Sequence, residues 1–265
     1  MEKLGVLVGY GFDFELGGQN KICAALKNNG YFVKSIGEPW PRGKYVLFGK
    51  KYISSGELDD SGNVFGEGGN VQLGKDFVLV SDNAFHFNEI KKDVDLKRLI
   101  SDRGYYESSK KIISNKGKEQ YNVPVHVAPT GYFFGNSSAQ GHIDLFTLLL
   151  PNSKILIFDK YFGKDANLNY DYNKICEKEC LKFLEYDGSK EEVWFPLNSL
   201  VLPNSQKEKV VIDSKAKSLN RILEKEGIER ILVDMPQRNY PAGKINCQTN
   251  VFLLKDKNKL DKLLV

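Results

Sequence analysis

Short strand-like runs that outnumber helical ones by at least two to one constrain this 265-residue chain more than any other feature. Alternating apolar residues mark strands over Leu4–Val8, Tyr31–Ile36, Tyr45–Phe48, Tyr52–Ser54, Phe77–Val80, Val123–Val127, Ile143–Leu150 and Lys154–Phe158. Further strands are expected over Val193–Phe195, Lys209–Ile212, Arg230–Val233 and Thr249–Leu254. Helical periodicity covers Gly18–Asn29, where Ile22, Cys23 and Leu26 form one stripe and Gly30 is placed to stop it. It returns between Asn88 and Asn115 with a break around Asp102-Arg103-Gly104, over Tyr172–Phe183, over Lys215–Glu226 and from Asp256 onward. About five helical segments thus alternate with groups of two or three short strands. One βαβ sheet wound on both faces needs strands and helices in equal number, so that architecture fits poorly.

No Pro/Ser-rich linker or low-complexity stretch divides the chain, and the segments share too little identity to establish a repeat. A single α/β domain over residues 1–265 is expected. Hydrophobic residues make up 41% and charged ones 27%, a globular balance. The net charge of +4 is small, and its lysine pairs (Lys50-Lys51, Lys91-Lys92, Lys110-Lys111) are scattered, so no nucleic-acid partner is expected. The longest apolar run, Leu145–Leu150 with Thr147 inside it, is far shorter than the roughly 18 residues a membrane-crossing helix needs. Met1-Glu2-Lys3-Leu4-Gly5 runs straight into a strand without a signal-peptide profile, and four cysteines make no disulfide scaffold. A cytoplasmic protein with reduced thiols, not associated with membrane, is the expectation; the oligomeric state is left open.

Three places carry residues suited to chemistry. His142 and Asp144, in Gly141-His142-Ile143-Asp144-Leu145, are expected to open a strand, which would put both side chains on one face about 6–7 Å apart. Such a pair can bind a cation and move protons, and equally can be two metal ligands or a surface ion pair. His86 and His126 have no ligand spacing with it, and no Cys-x-x-Cys accompanies it, which weakens the metal reading. Glu67 sits among glycines in Gly66-Glu67-Gly68-Gly69-Asn70, either as an exposed turn residue or as a carboxylate delivered into a tight site. Cys247, in Gly243-Lys244-Ile245-Asn246-Cys247-Gln248-Thr249, stands where a loop meets a strand, and Lys244 nearby favours its thiolate. Cys23, Cys176 and Cys180 lie on helical stripes and read as small buried hydrophobes.

Taken in order, Glu67-Gly68-Gly69-Asn70, Gly141-His142-Ile143-Asp144 and Gly243-Lys244-Ile245-Asn246-Cys247 resemble the guanidine-modifying, or pentein, superfamily. It comprises arginine, agmatine and peptidylarginine deiminases, dimethylarginine dimethylaminohydrolase and amidinotransferases. Leu197-Asn198-Ser199-Leu200 followed by Val201-Leu202-Pro203 also looks like a stretch of that family. The resemblance implies an α/β fold built as a five-bladed propeller of ββαβ units with pseudo-fivefold symmetry. It implies Cys247 as nucleophile, His142 as acid and base, Glu67 as the residue holding His142, and Asp144 as the grip on substrate N–H groups. Trp40 and Arg42, from the aromatic-x-Arg stretch, join Asn70 in the substrate pocket. Gly43 stands where many members carry Asp, and Asn70 where the family often has Asp; either Glu57, Asp59 or Asp60 supplies the missing charge, or the substrate is not a standard guanidine. No cofactor and no metal are implied. The expected activity is a hydrolase or amidinotransferase acting on a guanidine- or amidine-like small molecule through a covalent thiouronium. The alternative is a pentein-fold binding or scaffold protein without turnover.

Overall fold

A computed structural model describes residues 4–9, 17–37, 45–48, 51–54, 68–130, 142–161, 166–203, 208–236 and 245–258. In chain order, β1 (Leu4–Gly9), α1 (Gly18–Asn28) and β2 (Phe32–Ile36) precede the hairpin of β3 (Tyr45–Phe48) and β4 (Lys51–Ser54). There follow β5 (Val71–Leu73), β6 (Val78–Ser81), α2 (Asn88–Lys91), α3 (Leu96–Ser101), α4 (Arg103–Tyr121) and β7 (Val125–Ala128). Next come β8 (Thr147–Leu150), β9 (Ile155–Asp159), α5 (Ala166–Lys178) and β10 (Lys182–Tyr186). The last group is β11 (Leu200–Leu202), β12 (Lys209–Asp213), α6 (Lys217–Lys225), β13 (Glu229–Val233) and β14 (Thr249–Leu253).

These strands make five small sheets. Four of them repeat one ββαβ plan: the middle strand pairs antiparallel with an inner strand and, after a helical crossover, parallel with an outer one. In the first unit the inner strand comes from the far end of the chain, because β14 pairs antiparallel with β1 while β2 pairs parallel. The β3–β4 hairpin is the fifth sheet; among the described residues it carries no helix.

Period-2 alternation explains how the units pack. Val78 and Val80 of β6 face Tyr106 and Ile113 of α4, whereas Leu79 turns to Tyr172 and Cys176 of α5 in the next unit. On β9, Leu156 and Phe158 join that α5 cluster, while Ile155 and Ile157 face Leu219 and Leu223 of α6. On β12, Val210 and Ile212 face α6, and Val211 faces Ile22 and Leu26 of α1. Each middle strand is therefore buried on both faces, which its nearly unbroken apolar run requires. The crossover helices α1, α5 and α6 are each wedged between their own sheet and a neighbouring one, while α4 packs on its own sheet, so the units follow one another round an axis. Along that axis lies a cavity of about 570 Å³ bordered by residues of β5, β8, β11 and β14.

All four units turn from helix to outer strand through a left-handed residue: Gly30 (φ 79°), Asn122 (φ 57°), Cys180 (φ 53°) and Gly227 (φ 68°). In three of them the next N–H reaches back to the carbonyl five residues earlier, as in Leu181 N to Cys176 O at 2.8 Å.

The structure corrects three of the expected elements. The segment 143–150 is a 3₁₀ turn over Ile143–Leu145 followed by β8. The expected helix over Tyr172–Phe183 is displaced: α5 begins at Ala166 and ends at Lys178, and Lys182–Tyr186 is a strand. Val193–Phe195 is not a strand; Val193 and Phe195 are buried and Trp194 exposed, but the segment has no sheet partner and bends at Phe195 (φ 47°). Beyond a 3₁₀ turn over Leu254–Asp256 and residues 257–258, the expected C-terminal helix lies outside the described residues.

Candidate active site

Every inner strand begins at the same end of the axis, because each runs antiparallel to its middle strand, with Val71, Thr147, Leu200 and Thr249 opposite Val80, Phe158, Val211 and Val8. The segments just before those strands therefore converge: Gly68–Asn70, His142–Leu145, Leu197–Ser199 and Ile245–Gln248. Similar local devices hold the last three. Thr147 Oγ1 donates to Ile143 O and Thr249 Oγ1 to Ile245 O, both at 2.7 Å, and Ser199 Oγ donates to Pro196 O at 2.8 Å. Each hydroxyl satisfies a carbonyl of the turn before it and so fixes the angle at which the turn enters the strand.

Cys247 is half-buried, and its sulfur lies 3.8 Å from Asp144 Oδ2, to which the thiol donates. The Asp144 carboxylate is 1% exposed and accepts amide hydrogens from Asn198 Nδ2 at 3.0 Å and Asn246 Nδ2 at 2.8 Å. Asn198 Nδ2 also donates to Cys247 Sγ at 3.2 Å, while its Oδ1 accepts from Cys247 N at 3.2 Å. Residues from three units thus hold one sulfur and one carboxylate side by side. His142 is half-buried and packs against the glycine segment. A Cβ placed on Gly69 would stand 2.7 Å from its Nδ1 and 3.2 Å from Asp144 Oδ1.

The structure brings together Cys247, His142 and Asp144, but not for the reason expected, since strand alternation does not relate the last two. The 3₁₀ turn does, with Gly69 set against both. Asn70 is fully buried at the same end and accepts from Asn83 Nδ2 at 3.4 Å. Glu67, Trp40 and Arg42 lie outside the described residues, as do Gly43, Glu57, Asp59, Asp60 and Lys244. Asn198 and Asn246 were not expected at the site. The family-like stretch Leu197-Asn198-Ser199-Leu200 contains Asn198 but gives it no role; both are asparagines just before inner strands, where a buried amide needs partners.

The other cysteines are differently placed. Cys23 is buried with its sulfur 3.7 Å from Ser35 Oγ, and burial pushes the Cys176 thiol up to about 12. Cys180, expected on the helix stripe, is instead exposed in the turn after α5. No disulfide joins the four. No group of His, Cys, Asp and Glu among the described residues is arranged to hold a metal ion. No described helix is long and apolar enough to cross a membrane.

A half-buried thiol next to a buried carboxylate suits one kind of ligand: electrophilic at one atom and rich in N–H donors around it. The chain has the pentein fold of the guanidine-modifying enzymes. Dimethylarginine dimethylaminohydrolase from Pseudomonas aeruginosa, a cysteine-to-serine variant bound to citrulline, superposes with a TM-score of 0.57 at 11% identity, over 95% of this chain and 100% of that one. The inosamine-phosphate amidinotransferase of Streptomyces griseus gives 0.53 at 15% identity, over 88% and 78%. An amidinotransferase of saxitoxin biosynthesis in Microseira wollei gives 0.52 at 11% identity, over 87% and 77%. No protein-family model and no curated protein matches the sequence.

Proposed function

We propose that this chain is a cysteine-dependent enzyme of a single catalytic domain that opens a C–N bond of a guanidine- or amidine-like small molecule, as a hydrolase or an amidinotransferase. The observation that carries the reading is the Cys247–Asp144 pair, sulfur and carboxylate 3.8 Å apart at the converging ends of the inner strands. The fold it shares with a dimethylarginine hydrolase and two amidinotransferases supports the substrate class.

A guanidinium is planar, cationic and lined with N–H donors, so a carboxylate grips it in a defined orientation. Asp144 supplies that grip and presents the central carbon to the Cys247 sulfur. The Cys247 thiol gives its proton to His142 and attacks, forming a tetrahedral adduct; His142 passes that proton to the departing amine, whose loss leaves a thiouronium on Cys247. His142 then takes a proton from water or an acceptor amine, which attacks the same carbon and releases the sulfur. On the family resemblance we assign to Glu67 the role of holding the imidazole, and to Trp40, Arg42 and Asn70 that of contacting the substrate. The absence of disulfides is consistent with work in the cytoplasm.

The test is turnover with a panel of guanidines, amidines and ureas, following ammonia or amine release, with mass spectrometry of the quenched protein. A substrate that turns over and leaves a mass adduct on the Cys247 peptide establishes the reading. Absence of both across the panel removes it.

A further inference from the structure

We propose that Asn198 sets both the position and the charge state of the Cys247 sulfur, an inference that rests on Cys247 being the nucleophile. Asn198 is 1% exposed and uses both ends of its amide. The oxygen accepts from Cys247 N at 3.2 Å; the nitrogen donates to Cys247 Sγ at 3.2 Å and to Asp144 Oδ2 at 3.0 Å. Its backbone carbonyl accepts from Asn246 N at 3.2 Å, tying the turn before β11 to the turn before β14. The amide has one workable orientation. Flipped, its oxygen would face the Asp144 carboxylate and its NH₂ would face the Cys247 N–H, repulsive at both ends.

The consequence for the sulfur follows from the charges around it. Asp144 opposes ionisation of a thiol 3.8 Å away, because the thiolate would add a second negative charge. An N–H donor aimed at the sulfur favours the thiolate, and Asn198 also donates to the opposing carboxylate oxygen. The titratable groups that the described residues bring to this site are Asp144 and His142, both from the turn before β8. The turns before β5 and β11 bring Gly69, Asn70 and Asn198, which do not ionise. Asn198 is therefore the residue of the β11 turn that tips the balance toward thiolate.

The experiment is the pH dependence of Cys247 alkylation by iodoacetamide in the intact protein, read peptide by peptide so that exposed Cys180 is separated. Asn198→Asp keeps the shape and the acceptor for Cys247 N but places a second carboxylate at the sulfur. Its alkylation midpoint should rise by about one pH unit or more, with rates near neutral pH down about tenfold. Asn198→Ala, which cannot donate, should shift the midpoint in the same direction by less, and it carries the test if the Asp variant does not fold. Lys217→Ala, on the exposed side of α6 and outside the amide network, should titrate as the wild type does. Folded Asn198 variants with a wild-type midpoint overturn the proposal while leaving Cys247 as the nucleophile. A wild-type Cys247 that labels no faster than buried Cys176 overturns the nucleophile itself.

Discussion

Gly69 approaches His142 so closely that a methyl group on its Cα would stand 2.7 Å from the imidazole Nδ1 and 3.1 Å from Cγ. Real side chains do not come that near, so the lack of a side chain at 69 is what allows the imidazole its place. On its other side, Asp144 Oδ1 lies 3.2 Å from the same point. Gly69→Ala should therefore push the ring or the carboxylate aside rather than unfold the protein. Overpacking of this kind costs about 1–3 kcal/mol. The expected result is a modest loss in denaturant midpoint and a fall in kcat of at least about tenfold, since misplaced groups lose catalytic geometry steeply. A Gly69→Ala protein with wild-type kcat would show that the imidazole acts without this packing.

The four cysteines should separate cleanly. Cys247→Ala should abolish turnover while leaving fold and ligand binding intact, because the change is small and lies in a turn. Cys176→Ala should stay active: that thiol is buried, its ionisation pushed up to about 12, and it packs in the α5 cluster. Cys23→Ala and Cys180→Ala should also stay active. More than about a tenth of the wild-type rate in Cys247→Ala, a difference of only about 1.4 kcal/mol in barrier, would remove the covalent mechanism.

Asp144→Asn tests the grip on substrate. The variant keeps the size of the side chain but replaces a charged acceptor by a neutral amide facing the NH₂ groups of Asn198 and Asn246. Hydrogen bonds to a charged group contribute about 1.5–3 kcal/mol, so kcat/KM on a cationic guanidine should fall tenfold to more than a hundredfold. A neutral urea or amide analogue, bound without that charge, should lose less. Equal losses on both would mean that Asp144 only braces the turn.

The strands of this fold were largely legible because each middle strand is buried on both faces and reads as an apolar run. Helix ends were legible where glycine takes the left-handed turn, at Gly30. They were not legible at Cys180, where a cysteine takes that conformation with φ 53°. Nothing in the local sequence announces a left-handed cysteine, so the helix reading ran on into the first residues of β10. The ββαβ repeat was hidden for a related reason. Equivalent positions share backbone conformation rather than residue type, as Gly30, Asn122, Cys180 and Gly227 show. At the site, His142, Asp144 and Cys247 stood out as rare or reactive residues. Asn198 did not, because an asparagine amide becomes chemical only through what it touches, and its partners are 54 and 49 residues away.

Asp82 lies just past the end of β6, at the same end of the axis as the site. It is 1% exposed, and burial raises its carboxyl to about 6, against the lowering effect of three hydrogen bonds. Thr130 Oγ1 donates to Oδ1 at 2.7 Å and Thr130 N at 3.1 Å, while Tyr106 OH donates to Oδ2 at 2.9 Å. A carboxyl that binds its proton more tightly in the folded protein than in the unfolded chain stabilises the fold most when protonated. That contribution is complete below about pH 4 and is lost as pH rises through about 6. Asp82→Asn imitates the protonated acid at every pH, since its oxygen can accept from Thr130 and its NH₂ can donate to the Tyr106 oxygen. The unfolding free energy of the wild type relative to Asp82→Asn should thus fall by about 2 kcal/mol between pH 4 and pH 7, most steeply near pH 5, where the slope approaches about 1.4 kcal/mol per pH unit. Asp159 and the other carboxylates are common to both proteins and cancel in the difference. Urea unfolding of the pair at half-unit pH intervals measures it. A difference that stays flat across that window would show that Asp82 is ionised throughout, held by its three donors against the cost of burial.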